Sequence, residues 1–208
     1  ISAVDDGVGE IINELKRNGI YEDTLIFFQS DNGPSRESRN WMDGNLDYYY
    51  GGTTGKLKGH KFSLFEGGIR VPAIISYPAL IPKGQIIEEP CAAMDIFPTV
   101  LNLAGGDAAE FEVDGKDIRS VICEKEKSPH NYIFWEAGEQ TAVRWGNYKL
   151  VLKGQLVESE PPVEEEFLSD LSIDPSEKNN LKEKYPEIVQ QLKEAALSWR
   201  SNIEENWA

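Results

Sequence analysis

The run TLIFFQS, residues 24–30, places apolar side chains at successive positions and does not alternate them with polar ones. A strand written this way has no solvent face, so it belongs between two other layers of structure. Just before it, Val4, Val8, Ile11, Ile12 and Leu15 recur at helical spacing, and Asn18-Gly19 supplies a stop, which predicts a helix over 5–18. Helix, short link and all-apolar strand together imply a layered α/β core with a largely parallel sheet. VPAIISY, residues 71–77, is a second strand of the same kind.

Farther along, DIFPTVLNLAGG, residues 95–106, predicts a short helix with Asp95 as N-cap, Pro98 in the first turn and Gly105 as terminator. The texture changes near residue 125. NYIFWEA, TAVRW and YKLVLK are short aromatic or β-branched runs parted by Gly138, Gly146 and Asn147, the pattern of an antiparallel meander. EEEFLSDL adds a further strand, and Ile188, Leu192, Ala195, Ala196, Trp199 and Ile203 predict a final helix from Pro186 to about Trp207. The expected division is 1–125 and 126–208.

At 208 residues the chain can bury a core, and its net charge of -15 argues against nucleic acid or an anionic membrane as partner. No apolar run approaches the roughly 20 residues of a membrane helix. The start ISAVDDGVGE has no initiating Met and no signal core, so the numbering is expected to begin inside a longer protein, and the compartment stays open. Cys91 and Cys123 lack metal-ligand spacing and are expected to be buried free thiols. ESEPPVEEE, 158–166, reads as a solvated loop.

Two stretches carry candidate chemistry. Asp31 and Asn32 follow the first apolar strand, where open α/β sheets place ligand sites, and their oxygens suit calcium or magnesium. Asp-Asn-Gly is also strong turn chemistry, and on its own the stretch favours the turn. GKLKGHKFSLFEGGIRVPA, 55–73, gathers Lys56, Lys58, His60, Lys61 and Arg70 in an otherwise acidic chain, which reads as an anion site or as a basic hairpin on a sheet edge. Between them, Trp41 and Tyr49, with Tyr48 and Tyr50, offer flat faces for a sugar or aryl ring or else cap the core.

Strand-SDNG, then K-x-x-x-x-E-G-G-x-R-V-P from Lys61 to Pro72, then Asp95-Ile96-Phe97-Pro98-Thr99, Asp114-Gly115, Tyr148-Lys149-Leu150 and Asp174-Pro175-Ser176-Glu177, closely resembles the carboxyl portion of the sulfatase family. The resemblance implies an α/β, alkaline-phosphatase-like sandwich core, present in part, with a small C-terminal antiparallel sheet plus helix. It implies hydrolysis of a small-molecule or carbohydrate sulfate ester by a formylglycine nucleophile, with calcium. It assigns Asp31 and Asn32 to calcium and Lys61 to the sulfate. His60, next to Lys61, is within reach of a leaving group or else incidental to the turn, and Lys56 and Lys58 read as solvent charges. Pro34-Ser35-Arg36 coincides with the end of the family's Cys-x-Pro-Ser-Arg nucleophile signature, but Asn32 stands where the cysteine would be, and neither Cys91 nor Cys123 is followed by that sequence. The nucleophile is therefore expected upstream, in the missing N-terminal half of the same protein, and the chain alone is expected to be inactive. A phosphoryl-transfer relative and a non-catalytic binding module of the same fold remain alternatives.

Overall fold

The computed structural model describes residues 1–36 and 52–207. Two compact units emerge: Ile1–Gln29 with Ala73–His130, and Ser30–Pro72 with Asn131–Ala208. The segment 30–72 thus groups with the C-terminal sheet.

In the first unit, α1 spans Ser2–Arg17, and the Asn18 side chain donates to Glu14 O at 2.8 Å to finish it. Strands β1 (Ile26–Gln29) and β2 (Ala73–Ser76) pair antiparallel, with Phe28 opposite Ile74. The parallel relation expected of the two apolar runs does not hold for this pair. The chain leaves β1 on a long excursion and returns beside its starting point, where Ser30 N donates to Pro72 O at 3.3 Å, so the second strand runs backward. Nor are the strands covered on both faces within the described residues, because Phe28 and Ile74 are exposed.

Helix α3 (Ile96–Leu103) begins at Asp95, but the Asp95 carboxylate does not cap it. Fully enclosed, that carboxylate accepts from Ala92 N at 2.7 Å, Lys116 N at 2.8 Å and His130 Nε2 at 2.8 Å. Thr99 Oγ1 accepts from Ile118 N, and Gly115 lies so close to the Met94 carbonyl that a Cβ there would collide with it. These contacts give the Asp-Ile-Phe-Pro-Thr and Asp-Gly segments a common purpose, which is to clasp α3 to the chain entering α4 (Arg119–Glu124). Ile118, Val121 and Ile122 form the small core beside them. Cys91 is exposed and Cys123 half-buried, so only the expectation of free thiols holds, not that of burial.

The second unit contains the antiparallel meander β3 (Ile133–Ala137), β4 (Gln140–Trp145), β5 (Tyr148–Gly154) and β6 (Glu164–Asp170), in that spatial order. The side-chain period of two divides β5 between two cores. Leu150 and Leu152 pack with Val143 and Leu168 against Val189, Leu192 and Ala196 of α5 (Pro186–Trp207). Val151 joins Ala142 and Phe167 in packing against Leu64 and Phe65. Residues 164–166 belong to β6 and are not loop: Glu164 pairs with Lys182 and Glu166 with Lys193.

Candidate functional site

A β-turn at His60–Ser63, closed by Ser63 N donating to His60 O at 2.8 Å, presents Lys61. The sheet fixes this turn. Ser63 Oγ donates to Gln155 O at 2.6 Å, buried Gln140 donates through Nε2 to Phe62 O at 2.8 Å, and His60 N reaches Leu156 O at 3.1 Å. Leu64 and Phe65 anchor the following residues in the core under β4–β6.

The SDNG stretch is interlocked with the same turn. Gly33 N donates to Gly68 O at 2.8 Å, Lys61 N to Pro34 O at 3.1 Å, and Gly67 N to Lys58 O at 2.7 Å. Backbones approach too closely here for any side chain: a Cβ on Gly33 would strike Gly67 O, and one on Gly68 would strike Ser63 O and His60 O. Asp31, Asn32 and Lys61, which the sequence separates by an excursion, are therefore brought into one backbone knot.

Short helix α2 (Glu66–Ile69) rests on a buried charge cluster. Lys149 Nζ lies 2.9 Å from Glu66 Oε1 and 3.2 Å from Glu177 Oε1, and all three side chains are almost completely enclosed. Glu177 Oε2 also accepts from Glu66 N at 2.6 Å. Burial pushes the Glu177 carboxyl upward, and the neighbouring ammonium opposes that shift. Buried charges persist only when paired and hydrogen-bonded, and here each supplies what the others need. The sequence carried one signal of this cluster: Lys149 interrupts the apolar run YKLVL.

Each expected site residue has a definite setting. Asp31 is exposed, with Oδ1 accepting from Asn32 N at 2.9 Å. Asn32 spends Nδ2 on Gly33 O at 2.8 Å, which leaves its side-chain oxygen without a donor among the described residues. Both oxygens fit calcium in chemistry, as two of the roughly 6–8 ligands it takes. No group of three His, Cys, Asp or Glu side chains able to hold a metal occurs among the described residues. Lys61 is half-buried, its Nζ 5.2 Å from the Phe62 ring. His60 is half-buried too, with Nδ1 enclosed and without a partner among the described residues; burial first, then the charge of Arg36, hold its pKa below the ordinary histidine value. Trp41 and Tyr49 lie outside the described residues. Lys58 differs from its reading as a solvent charge: its Nζ sits 3.5 Å from the Phe167 ring centroid and 4.1 Å from that of Phe65, and burial lowers its pKa. The exposed lysine of the segment is Lys56.

The family model described as Sulfatase matches residues 1–106. The chain belongs to the sulfatase family. A second family model, N-sulphoglucosamine sulphohydrolase, C-terminal, matches residues 59–202 of this chain. Steryl-sulfatase of Homo sapiens is 40% identical over 148 residues, covering 70% of this chain and 25% of that protein. Arylsulfatase A of Bos taurus is 31% identical, covering 93% of this chain and 41% of its own. Among solved structures, the PsFucS1 sulfatase from Pseudoalteromonas sp. superposes with a TM-score of 0.77 at 26% identity, over 97% of this chain and 42% of that one. The fold is the alkaline-phosphatase-like fold of sulfatases, and the chain spans between a quarter and about two-fifths of the curated relatives named here.

Proposed function

We propose that this chain supplies the sulfate-holding part of a sulfuric ester hydrolase, with Lys61 on the sulfuryl oxygens and Asp31 and Asn32 as two oxygen ligands of calcium. The observation that carries this reading is the backbone knot: Gly33 N to Gly68 O and Lys61 N to Pro34 O hold the Asp-Asn pair and the lysine turn together. Calcium bound there would supply positive charge opposite the sulfate oxygens, and the family's formylglycine would supply the nucleophile. The Lys61 ammonium offsets negative charge on the sulfuryl group, and more strongly as charge grows on the departing ester oxygen. His60, neutral at physiological pH, keeps an imidazole hydrogen-bonding group beside that lysine. The substrate class is a sulfate ester of a small molecule or carbohydrate. The 208-residue chain by itself does not turn it over.

Kinetics of the full-length protein test the assignment. Lys61→Met is expected to lower kcat by on the order of a hundredfold to a thousandfold while moving KM less. Lys56→Met, which removes the same charge from an exposed position nearby, is expected to leave both within about twofold. Equal small losses in the two variants would remove Lys61 from the site.

A further inference from the structure

Phe62 adopts φ 71°, a left-handed conformation that bulky side chains avoid. It is the third residue of the His60–Ser63 turn, and Lys61 before it does not share the positive φ, so the turn follows the type II pattern, whose third position glycine ordinarily fills. The sheet holds the conformation in place: Gln140 Nε2 donates to Phe62 O at 2.8 Å, and Gln140 Oε1 is itself fixed by Gln155 N at 2.9 Å. The ring gains little for this cost. It is 40% exposed and joins none of the hydrophobic clusters of the described residues.

A glycine at this position would remove both the backbone strain and the exposed apolar surface. Strain retained at one residue, locked by a buried side chain and directed into none of the cores of the described residues, is characteristic of functional positions. The ring also lies beside the candidate sulfate contact, with Lys61 Nζ 5.2 Å from its centroid. That places a flat apolar wall next to the ammonium, the arrangement needed to hold an anionic group and the ring that bears it.

We propose that Phe62 determines specificity by stacking on the organic part of the substrate, and that this part is a ring with an apolar face bonded to the sulfate oxygen. The proposal rests on the assignment of Lys61 to the sulfate. Lys61 reads the charge, which every sulfate ester carries, and Phe62 reads the ring, which only some do. Aromatic stacking favours offset faces and adds to the burial of apolar area.

Sulfonates test this without turnover, because they present the same SO3 group on carbon and cannot be hydrolysed as esters. Calorimetry on the full-length protein compares methanesulfonate, which has no ring, with phenylmethanesulfonate. Phe62→Gly is expected to weaken phenylmethanesulfonate binding on the order of tenfold, to leave methanesulfonate within about twofold, and to keep or raise Tm. Phe62→Tyr, which keeps the ring, is expected to bind both probes as the unsubstituted protein does. If Lys61→Met abolishes binding of both probes while Phe62→Gly changes neither, the role of Phe62 is overturned and that of Lys61 stands. A lower Tm for Phe62→Gly with equal losses for both probes would make Phe62 a structural residue and overturn the proposal. Failure of the unsubstituted protein to bind either probe would overturn both assignments.

Discussion

In the unit built on β3–β6 and α5, Val143, Leu150, Leu168, Leu192 and Ala196 are fully enclosed, whereas in the other unit α1 buries no residue and Val4, Ile11, Phe28, Ile74 and Phe97 are exposed. The first arrangement is a sheet with a helix on one face and the Leu64–Phe65 segment on the other, each apolar row of β5 having a partner. The second has the same kinds of residue and, within the described residues of this chain, less to place against them; its enclosed core there is Ile118, Val121 and Ile122 with a few half-buried neighbours. Buried apolar area is the main stabilising term of a fold, so the two units differ in how much of their own stability they supply. The difference bears on the proposed function because the Lys61 turn and the Asp31-Asn32 pair both sit in the well-packed unit. A site that must hold charged groups in fixed positions sits on elements whose own side chains are locked by packing.

Trp135, Trp145 and Trp199 lie in that unit, so their fluorescence follows it. The largest expected effect comes from Lys149→Met, which removes the buried ammonium shared by Glu66 and Glu177 and leaves Glu66 only the exposed Arg70 at 3.7 Å among the described residues. We expect a loss of about 3–5 kcal/mol in the denaturant transition seen by fluorescence, the cost of breaking a buried ion cluster from one side. A loss under about 1 kcal/mol would mean that the cluster is open to water and that the packing contrast is overstated.

A smaller effect is expected from Asp95→Ala in the less enclosed unit. It leaves Ala92 N, Lys116 N and the His130 ring without their acceptor, at about 1–3 kcal/mol. Circular dichroism should report that loss while the fluorescence midpoint stays put. A matching shift in fluorescence would show that the two units unfold together and break the comparison.

The smallest effect concerns acid. Because the folded-state pKa of His60 is depressed, its contribution is present above the ordinary histidine value of 6.5 and is lost as pH falls through the lower folded value. A modest drop in Tm below that range, absent in His60→Gln, is the expected outcome, with Arg36 adding to the penalty and Glu160 relieving it. Identical acid profiles for the two proteins would place the imidazole in solvent.

Much of this was legible in the sequence, and the failures have physical causes. Helical spacing in 5–18 and 186–207 and the turn residues Gly138, Gly146 and Asn147 between short β-branched and aromatic runs reported local geometry, so α1, α5 and the meander appear where they were expected. The direction of the sheet containing TLIFFQS was not legible, because an apolar run does not say which strand lies beside it; β1 and β2 pair antiparallel. Lys58 was misread because side-chain type says nothing of the Phe65 and Phe167 rings that receive its ammonium. Asp95 was read as a cap from its place before a helix, yet its partners lie at 92, 116 and 130. The segments Lys61–Pro72, Tyr148–Leu150 and Asp174–Glu177 were recognisable together as a family pattern, but only the fold shows that Glu66, Lys149 and Glu177 are one buried cluster. Phe62 gave no signal at all, since a turn closing at His60–Ser63 cannot be read from GHKFSL.

The central claim is that two stretches separated by the excursion after Pro34 form one site around one sulfate, and a double-mutant cycle between Asp31 and Lys61 tests it most directly. kcat/KM is measured for the full-length protein, Asp31→Ala, Lys61→Met and the double variant, with calcium saturating. If both side chains act on the same group, the second substitution adds little to the first, and the coupling exceeds about 1 kcal/mol. Additive losses, with coupling under about 0.3 kcal/mol, would show that the Asp31-Asn32 turn and the Lys61 turn act independently and would contradict the account.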